Sequence, residues 1–463
     1  MDEALLPHTD GERGGWRTFP FIIGAIVGVA MVAYGISSNL EVYLIKGFNV
    51  GQIDATQING IASGCISFAP VVGGVLADSF LGCSAVLAAA VVACFLGMLL
   101  FTLTAILPAL HPPPCAPPTP CQSPMTIHLT VLFTAIALLA TGVAGTRYNG
   151  MTMGANQFST DSDRTAFFNW CFVSLYLSSI AGATILVYIQ DSAGWHWGFA
   201  LCTAITAIAF LFYLFGRPYY LHSKPNIRRN HLMSFCREGK LLIRLLPIIS
   251  SGILLSATIS VQASLTVLQA LAMDRSLTHS FFIPAGSMNA FVLATAATSI
   301  TVLGCTRCRL SPLSAITIGH VINMFAMVAM ALTESRRLAV VATNTFSVLW
   351  LVPPLVLIGF GEAFHFPASV AFYYQDFPAS LRSTATGTFA VVSGTGFYMS
   401  SAIITVIRRS TTWLQDDVNE SRLDNVYLTL AGCCLLNFVY FLLCAWLYKK
   451  NTEKRDLKLE EIY

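Results

Sequence analysis

Twelve stretches of about 20 mainly apolar residues, each long enough to cross a bilayer as a helix, leave this chain few ways to fold. They run over roughly 20–41, 57–77, 84–109, 128–153, 168–190, 196–215, 241–268, 284–304, 312–332, 346–374, 384–407 and 426–448. In lipid a spanning segment must satisfy its own backbone hydrogen bonds, as helices and closed barrels do. These runs are too long and too uniformly apolar for barrel strands. Of the 463 residues 55 % are hydrophobic and only 11 % charged, against about 25 % charged in ordinary soluble domains. The predicted class is therefore an all-α membrane protein with the lipid bilayer as its solvent.

A polar, basic connection from Arg217 to Lys240 divides the helices six and six, the arrangement of the major facilitator fold. The expected organisation is an N-terminal segment (1–19), a first six-helix half (20–215), a linker (216–240), a second half (241–448) and a C-terminal segment (449–463). With the first segment cytoplasmic, 19 of the 26 Lys and Arg residues fall on the cytoplasmic side, so both termini are expected there. The sequon Asn419-Glu420-Ser421 then lies in an outer loop, where Asn419 is a candidate glycosylation site. Met1–Arg17 lacks the apolar core of a signal peptide, which leaves the first span as an uncleaved signal. A net charge of +3 with no basic tract among aromatics argues against nucleic acid. Most of the 13 cysteines sit in apolar runs as small hydrophobes, while Cys115 and Cys121 flank a proline-rich loop and are candidates for a disulfide.

Charges inside the spans are few, and each carries a cost of several kcal/mol. Glu362, in Gly359-Phe360-Gly361-Glu362-Ala363-Phe364-His365-Phe366-Pro367, marks a substrate, ion or proton path, or else is a neutral acid or one that locks two helices. Arg147, about 10 Å to the cytoplasmic side of its helix centre, is either a snorkelling anchor or the partner of Glu362 across the two halves. Asp78, at the cytoplasmic end of the second span, reads as a conformational latch rather than a ligand. Tyr34, Ser260, Gln262, Gln269 and His365 are candidates to line a cavity, and His320 reads as a hydrogen-bonded core histidine. There is no GxSxG, no HExxH, no metal-ligating set and no cofactor motif, so an enzyme is not expected.

Several words of the chain resemble the plant nitrate/peptide transporter family, in the proton-dependent oligopeptide transporter group of the major facilitator superfamily. They are Ala77-Asp78-Ser79-Phe80-Leu81-Gly82, Gly154-Ala155-Asn156-Gln157-Phe158, Phe167-Phe168-Asn169-Trp170, Val187-Tyr188-Ile189-Gln190-Asp191 and the stretch from Gly359 to Ser383. Thr18-Phe19-Pro20-Phe21 and Glu362 through Ala368 are similar to its nitrate excretion branch. The resemblance implies a secondary transporter of nitrate or a similar small anion, in the plasma membrane, with Arg147 and Glu362 as the inter-half salt bridge. It also implies a departure: the family's proton-coupling ExxER falls on Ile26, Val29 and Ala30, so no carboxylate remains in the middle of the first helix. Ser260 stands where a histidine recognises nitrate. Efflux or weak coupling to protons is the expectation. The alternatives are transport of chloride or an organic plant metabolite, or a non-transporting member inactivated by its short join between helices 8 and 9.

Overall fold

The computed structural model describes residues 13–76, 83–113, 122–221, 239–278, 281–305, 310–340, 346–376, 382–415 and 417–460. Asp78, Cys115, Cys121 and most of the linker lie outside the described residues.

Among the described residues there are twelve long helices. The first half contains α1 (Phe19–Phe48), α2 (Gln52–Leu76), α3 (Cys83–Ile106) and α4 (Thr126–Ala155). It continues with α5 (Asp161–Ala181, prolonged by Gly182–Leu186 and Val187–Ser192) and α6 (Trp195–Gly216). The second half contains α7 (Gly239–Leu271), α8 (Asn289–Cys305), α9 (Pro312–Val340), α10 (Val352–Asp376), α11 (Arg382–Ser410) and α12 (Leu423–Glu460). Eleven of the twelve are long and apolar enough to cross a membrane, and α2 is the other. A small antiparallel ribbon, β1 (Ser276–Thr278) with β2 (Phe281–Phe282), joins α7 to α8. With twelve described helices, the start of α1 and the end of α12 lie on one side, here called the terminal face; the opposite side is the far face.

Local chemistry sets the ends. Pro20 occupies the first turn of α1, where its missing N–H costs nothing. Asn49 closes α1 with a left-handed φ of 54°, a conformation asparagine tolerates better than most residues. Thr160 caps α5 by accepting the Asp163 N–H. The helices outrun the apolar windows at the far face: α1 continues past Glu41 to Phe48, and α9 past Glu334 and Arg337 to Val340. Arg337, beyond the 312–332 apolar window, is 1 % exposed inside a helix.

Lipid offers helices little hydrophobic reason to associate, so close packing of small residues decides the contacts. Gly182, in a π-helical turn of α5, lies so near α1 that a Cβ there would strike the Met31 carbonyl. The packing pattern repeats with an offset of six helices: α3 lies on α4 as α9 lies on α10, and α1 on α6 as α7 on α12. Each half has its own apolar core. The halves meet where α2 packs on α11 and α5 on α8. At the far face they are tied more firmly. Arg408 of α11 pairs with Asp54 of α2, and Asp191 at the end of α5 holds Lys46 of α1 at 3.5 Å and Arg275 of the second half at 3.4 Å. Val42 and Ile53, from the first half, are buried in the core of the second.

Candidate functional site

Three polar side chains stand at mid-depth in three different helices. Tyr34 is at the midpoint of α1 and Tyr176 at the midpoint of α5. Glu362 is at the midpoint of the stretch formed by the helical turn Val348–Leu351 and α10. All three are half-buried, and Arg147, about 10 Å towards the terminal face on α4, is exposed. Tyr176 stands within electrostatic range of Tyr34, Glu362 and Arg147 together. Tyr34, Glu362 and Arg147 thus stand around Tyr176, and each of the four keeps some exposure. Sequence reading supplied three of the four; Tyr176 was missed, since a tyrosine in an apolar run carries no signal until its neighbours are known.

The other cavity candidates are placed differently, in packed protein of the second half. Ser260 is buried and its hydroxyl donates to the Ser256 carbonyl at 2.7 Å. Gln262 is buried and donates to Thr266 Oγ1 at 2.6 Å. Gln269, wholly buried, donates to Glu334 Oε2 at 2.7 Å and accepts from the Tyr427 hydroxyl at 2.7 Å. His365 is buried edge-on to His320, ring centroids 5.4 Å apart. In this conformation none of these four faces an open space. The reading of His320 as a hydrogen-bonded core histidine is also corrected: both ring nitrogens are buried without a partner, in a cage formed with His365, Phe438 and Phe441.

Two further buried acids escaped the sequence reading. Glu334 and Arg337 form an ion pair with Nη2 to Oε1 at 2.8 Å and Nε to Oε2 at 2.8 Å. Arg337 Nη1 also donates to Asn419 Oδ1 at 2.7 Å, so the candidate sequon anchors the α11–α12 loop onto α9. Their spacing of three residues puts both on one helical face, the one signal that could have revealed the pair. Glu41 on α1 is 0 % exposed, with Thr56 and Asn59 of α2 beside it.

At the terminal face, outside the spans, Trp16 Nε1 donates to Asp163 Oδ1 at 3.0 Å and clamps the N-terminal segment onto α5. The Thr160 hydroxyl, and after it the Trp16 indole, hold the Asp163 carboxyl below its ordinary range.

Comparison with known proteins agrees with this architecture. The sequence profile PTR2, described as the POT family, matches residues 84–236 and 226–419. Protein NRT1/PTR FAMILY 2.3 of Arabidopsis thaliana is 37 % identical, covering 98 % of this chain and 97 % of its own length. Protein NRT1/PTR FAMILY 2.7 of the same plant is 38 % identical, with 97 % and 95 % covered. The alignment with the first extends over 539 residues against a chain of 463, so these relatives carry segments that this chain lacks. Among solved structures, an auto-inhibited POT family peptide transporter superposes with a TM-score of 0.77 at 17 % identity, covering 93 % of this chain and 96 % of its own. The POT family transporter PepTSo gives 0.74 at 16 %, covering 94 % and 99 %. At such identities the solved structures speak for the fold.

Proposed function

The chain belongs to the POT family of multi-pass membrane transporters, and on that premise we propose that it moves nitrate or a similar small anion across the plasma membrane by alternating access. What supports the choice of an anion is that Arg147 is exposed and that it, Tyr34 and Glu362 all lie within electrostatic range of Tyr176; the proposal takes the space they border as the path shared by the two halves. A guanidinium offers a planar fork of donors to an oxyanion and keeps its charge throughout. Hydroxyls supply further donors without adding charge, and the mid-depth of the tyrosines suits a site served from both faces in turn.

Glu362 completes the arrangement as a gate. Arg147 on the first half and Glu362 on the second attract each other across the shared space, and an anion entering it competes with the carboxylate for the guanidinium. Breaking and remaking that attraction links occupancy of the site to the relative position of the halves. Asp78, which lies outside the described residues, is assigned the latch of the same cycle. Ile26 and Val29 of α1 are buried apolar residues, so the middle of that helix holds no proton-carrying acid, which favours efflux or weak coupling to protons.

The test is ion flux in liposomes holding the purified protein, at set pH and voltage, with nitrate, chloride or a dipeptide as solute. The proposal expects nitrate flux that saturates and that dipeptide leaves unaffected. Preference for chloride or an organic solute would replace the substrate, and no flux of any solute would favour an inactive member of the family.

A further inference from the structure

Beyond the midpoint of α1 lies a carboxyl group to which the proposed cycle gives no part. Glu41 sits about 11 Å farther towards the far face, wholly buried. Its Oε1 is 2.5 Å from Thr56 Oγ1, and its Oε2 is 3.5 Å from Asn59 Nδ2. The Thr56 hydroxyl owns a single hydrogen, yet its oxygen also lies 3.0 Å from the Gln52 carbonyl, which can only accept. Helical threonines commonly donate to the carbonyl four residues earlier. Thr56 thus has one hydrogen for two acceptors, the Glu41 carboxyl and the Gln52 carbonyl, and a hydrogen on Glu41 satisfies both contacts at once.

The surroundings favour a neutral acid as well. Among the described residues no Lys, Arg or His pairs with Glu41. The charged and titratable groups on the neighbouring elements are already engaged with one another. On α12 Tyr427 lies within electrostatic range of Glu41 and bonds to Gln269. On α9 Glu334 holds Arg337. On α2 Asp54 holds Arg408 of α11, and Asp191 of α5 holds Lys46 and Arg275. On α7 Thr266 and Gln269, which bond to Tyr427, are neutral. Asn59 Oδ1 and Gln52 Oε1 are buried acceptors without a partner. A pocket with spare acceptors and no cation suits a group that donates a hydrogen and penalises an unpaired anion.

We propose that Glu41 is a proton-binding site, holding a proton while the far face is closed and giving it up when that face opens. Val42 and Ile53 now seal the site against the core of the second half. Parting of the halves there admits water. The O–H bond of Glu41 then breaks, its electron pair stays on the carboxylate, and the proton passes to water on the far side. Closing the face again requires the proton back, since a bare carboxylate in the closed pocket would lack a counter-charge. Proton uptake at Glu41 thus accompanies each closure of the far face. The link to anion passage rests on the transport reading above; the protonated site itself does not.

The test is infrared spectroscopy of the full chain in lipid at neutral pH, read in the carbonyl-stretch band of protonated carboxylic acids. Glu41→Gln is expected to lose one component of that band, and Glu362→Gln to leave that component in place. Thr56→Val, which removes the hydrogen-bond partner and leaves the acid, is expected to shift the same component, so the proposal stays testable where Glu41→Gln fails to fold. A band untouched by both Glu41→Gln and Thr56→Val, or no such band in the wild type, overturns the proposal. In liposomes, Glu41→Gln is expected to lose the dependence of nitrate flux on the pH at the far face, since release and uptake of the proton both occur there. The same far-face pH dependence in wild type and variant also overturns the proposal, whereas a wild type that moves no anion contradicts the transport reading and leaves the infrared band to decide the site.

Discussion

Glu41 and Glu334 sit at nearly the same depth, about 11 and 12 Å from the midpoints of α1 and α9 towards the far face. Both are 0 % exposed. Glu334 has a two-pronged arginine fork and an amide donor. Glu41 has one hydroxyl and a distant amide. The difference shows two ways of burying an acid in a membrane protein. One keeps the charge and surrounds it with donors; the other leaves the acid neutral and spends few partners on it. The first makes a rigid joint and the second a site able to change state.

The largest expected effect tests the joint. Arg337→Leu leaves Glu334 buried without its counter-charge and should cost about 3–5 kcal/mol in unfolding measurements in detergent or lipid. The double variant Glu334→Leu with Arg337→Leu should recover most of that loss, because an apolar pair needs no solvation. Equal losses in the single and double variants would remove the ion pair from one side of the comparison. Glu41→Gln should cost no more than about 1 kcal/mol, the net worth of an ordinary hydrogen bond, since no charge is deleted. A loss as large as that of Arg337→Leu would mean that Glu41 is held as an anion.

Exposed acids set the lower end of the scale. The pair Asp54–Arg408 keeps side-chain exposures of 53 % and 36 %. Asp54→Asn should therefore cost at most about 1 kcal/mol, with the difference fading in high salt. Asp163 gives the smallest effect and one of defined sign. Its folded pKa lies below the unfolded value, so its contribution is fully present above the unfolded carboxylate range and is lost as pH falls through the lowered folded value. Unfolding of Asp163→Asn and wild type should differ at neutral pH and converge in strong acid. A constant difference across that range would contradict the clamp.

Most of the fold was legible because a bilayer admits few solutions. Apolar runs gave the helices. The far-face ends were not legible, for a physical reason. A hydropathy window scores each residue alone, so Glu334 and Arg337 ended α9 early, although as a pair they are buried. Glu41 falls at the edge of the 20–41 window and drew no reading of its own. At the site, Arg147 and Glu362 stood out as charges among apolar residues, while Tyr176 did not. The glutamines and Ser260 looked like cavity groups because sequence cannot show that their polar atoms are already bonded within the second half.

The central claim is that Arg147 and the tyrosines at mid-depth form an anion path, and nitrate flux into liposomes at fixed voltage and pH, wild type against Arg147→Ala, tests it most directly. The account predicts saturable flux in the wild type and a fall of roughly tenfold or more in the variant, equivalent to about 1.4 kcal/mol or more. Unchanged flux in a folded Arg147→Ala protein would contradict it.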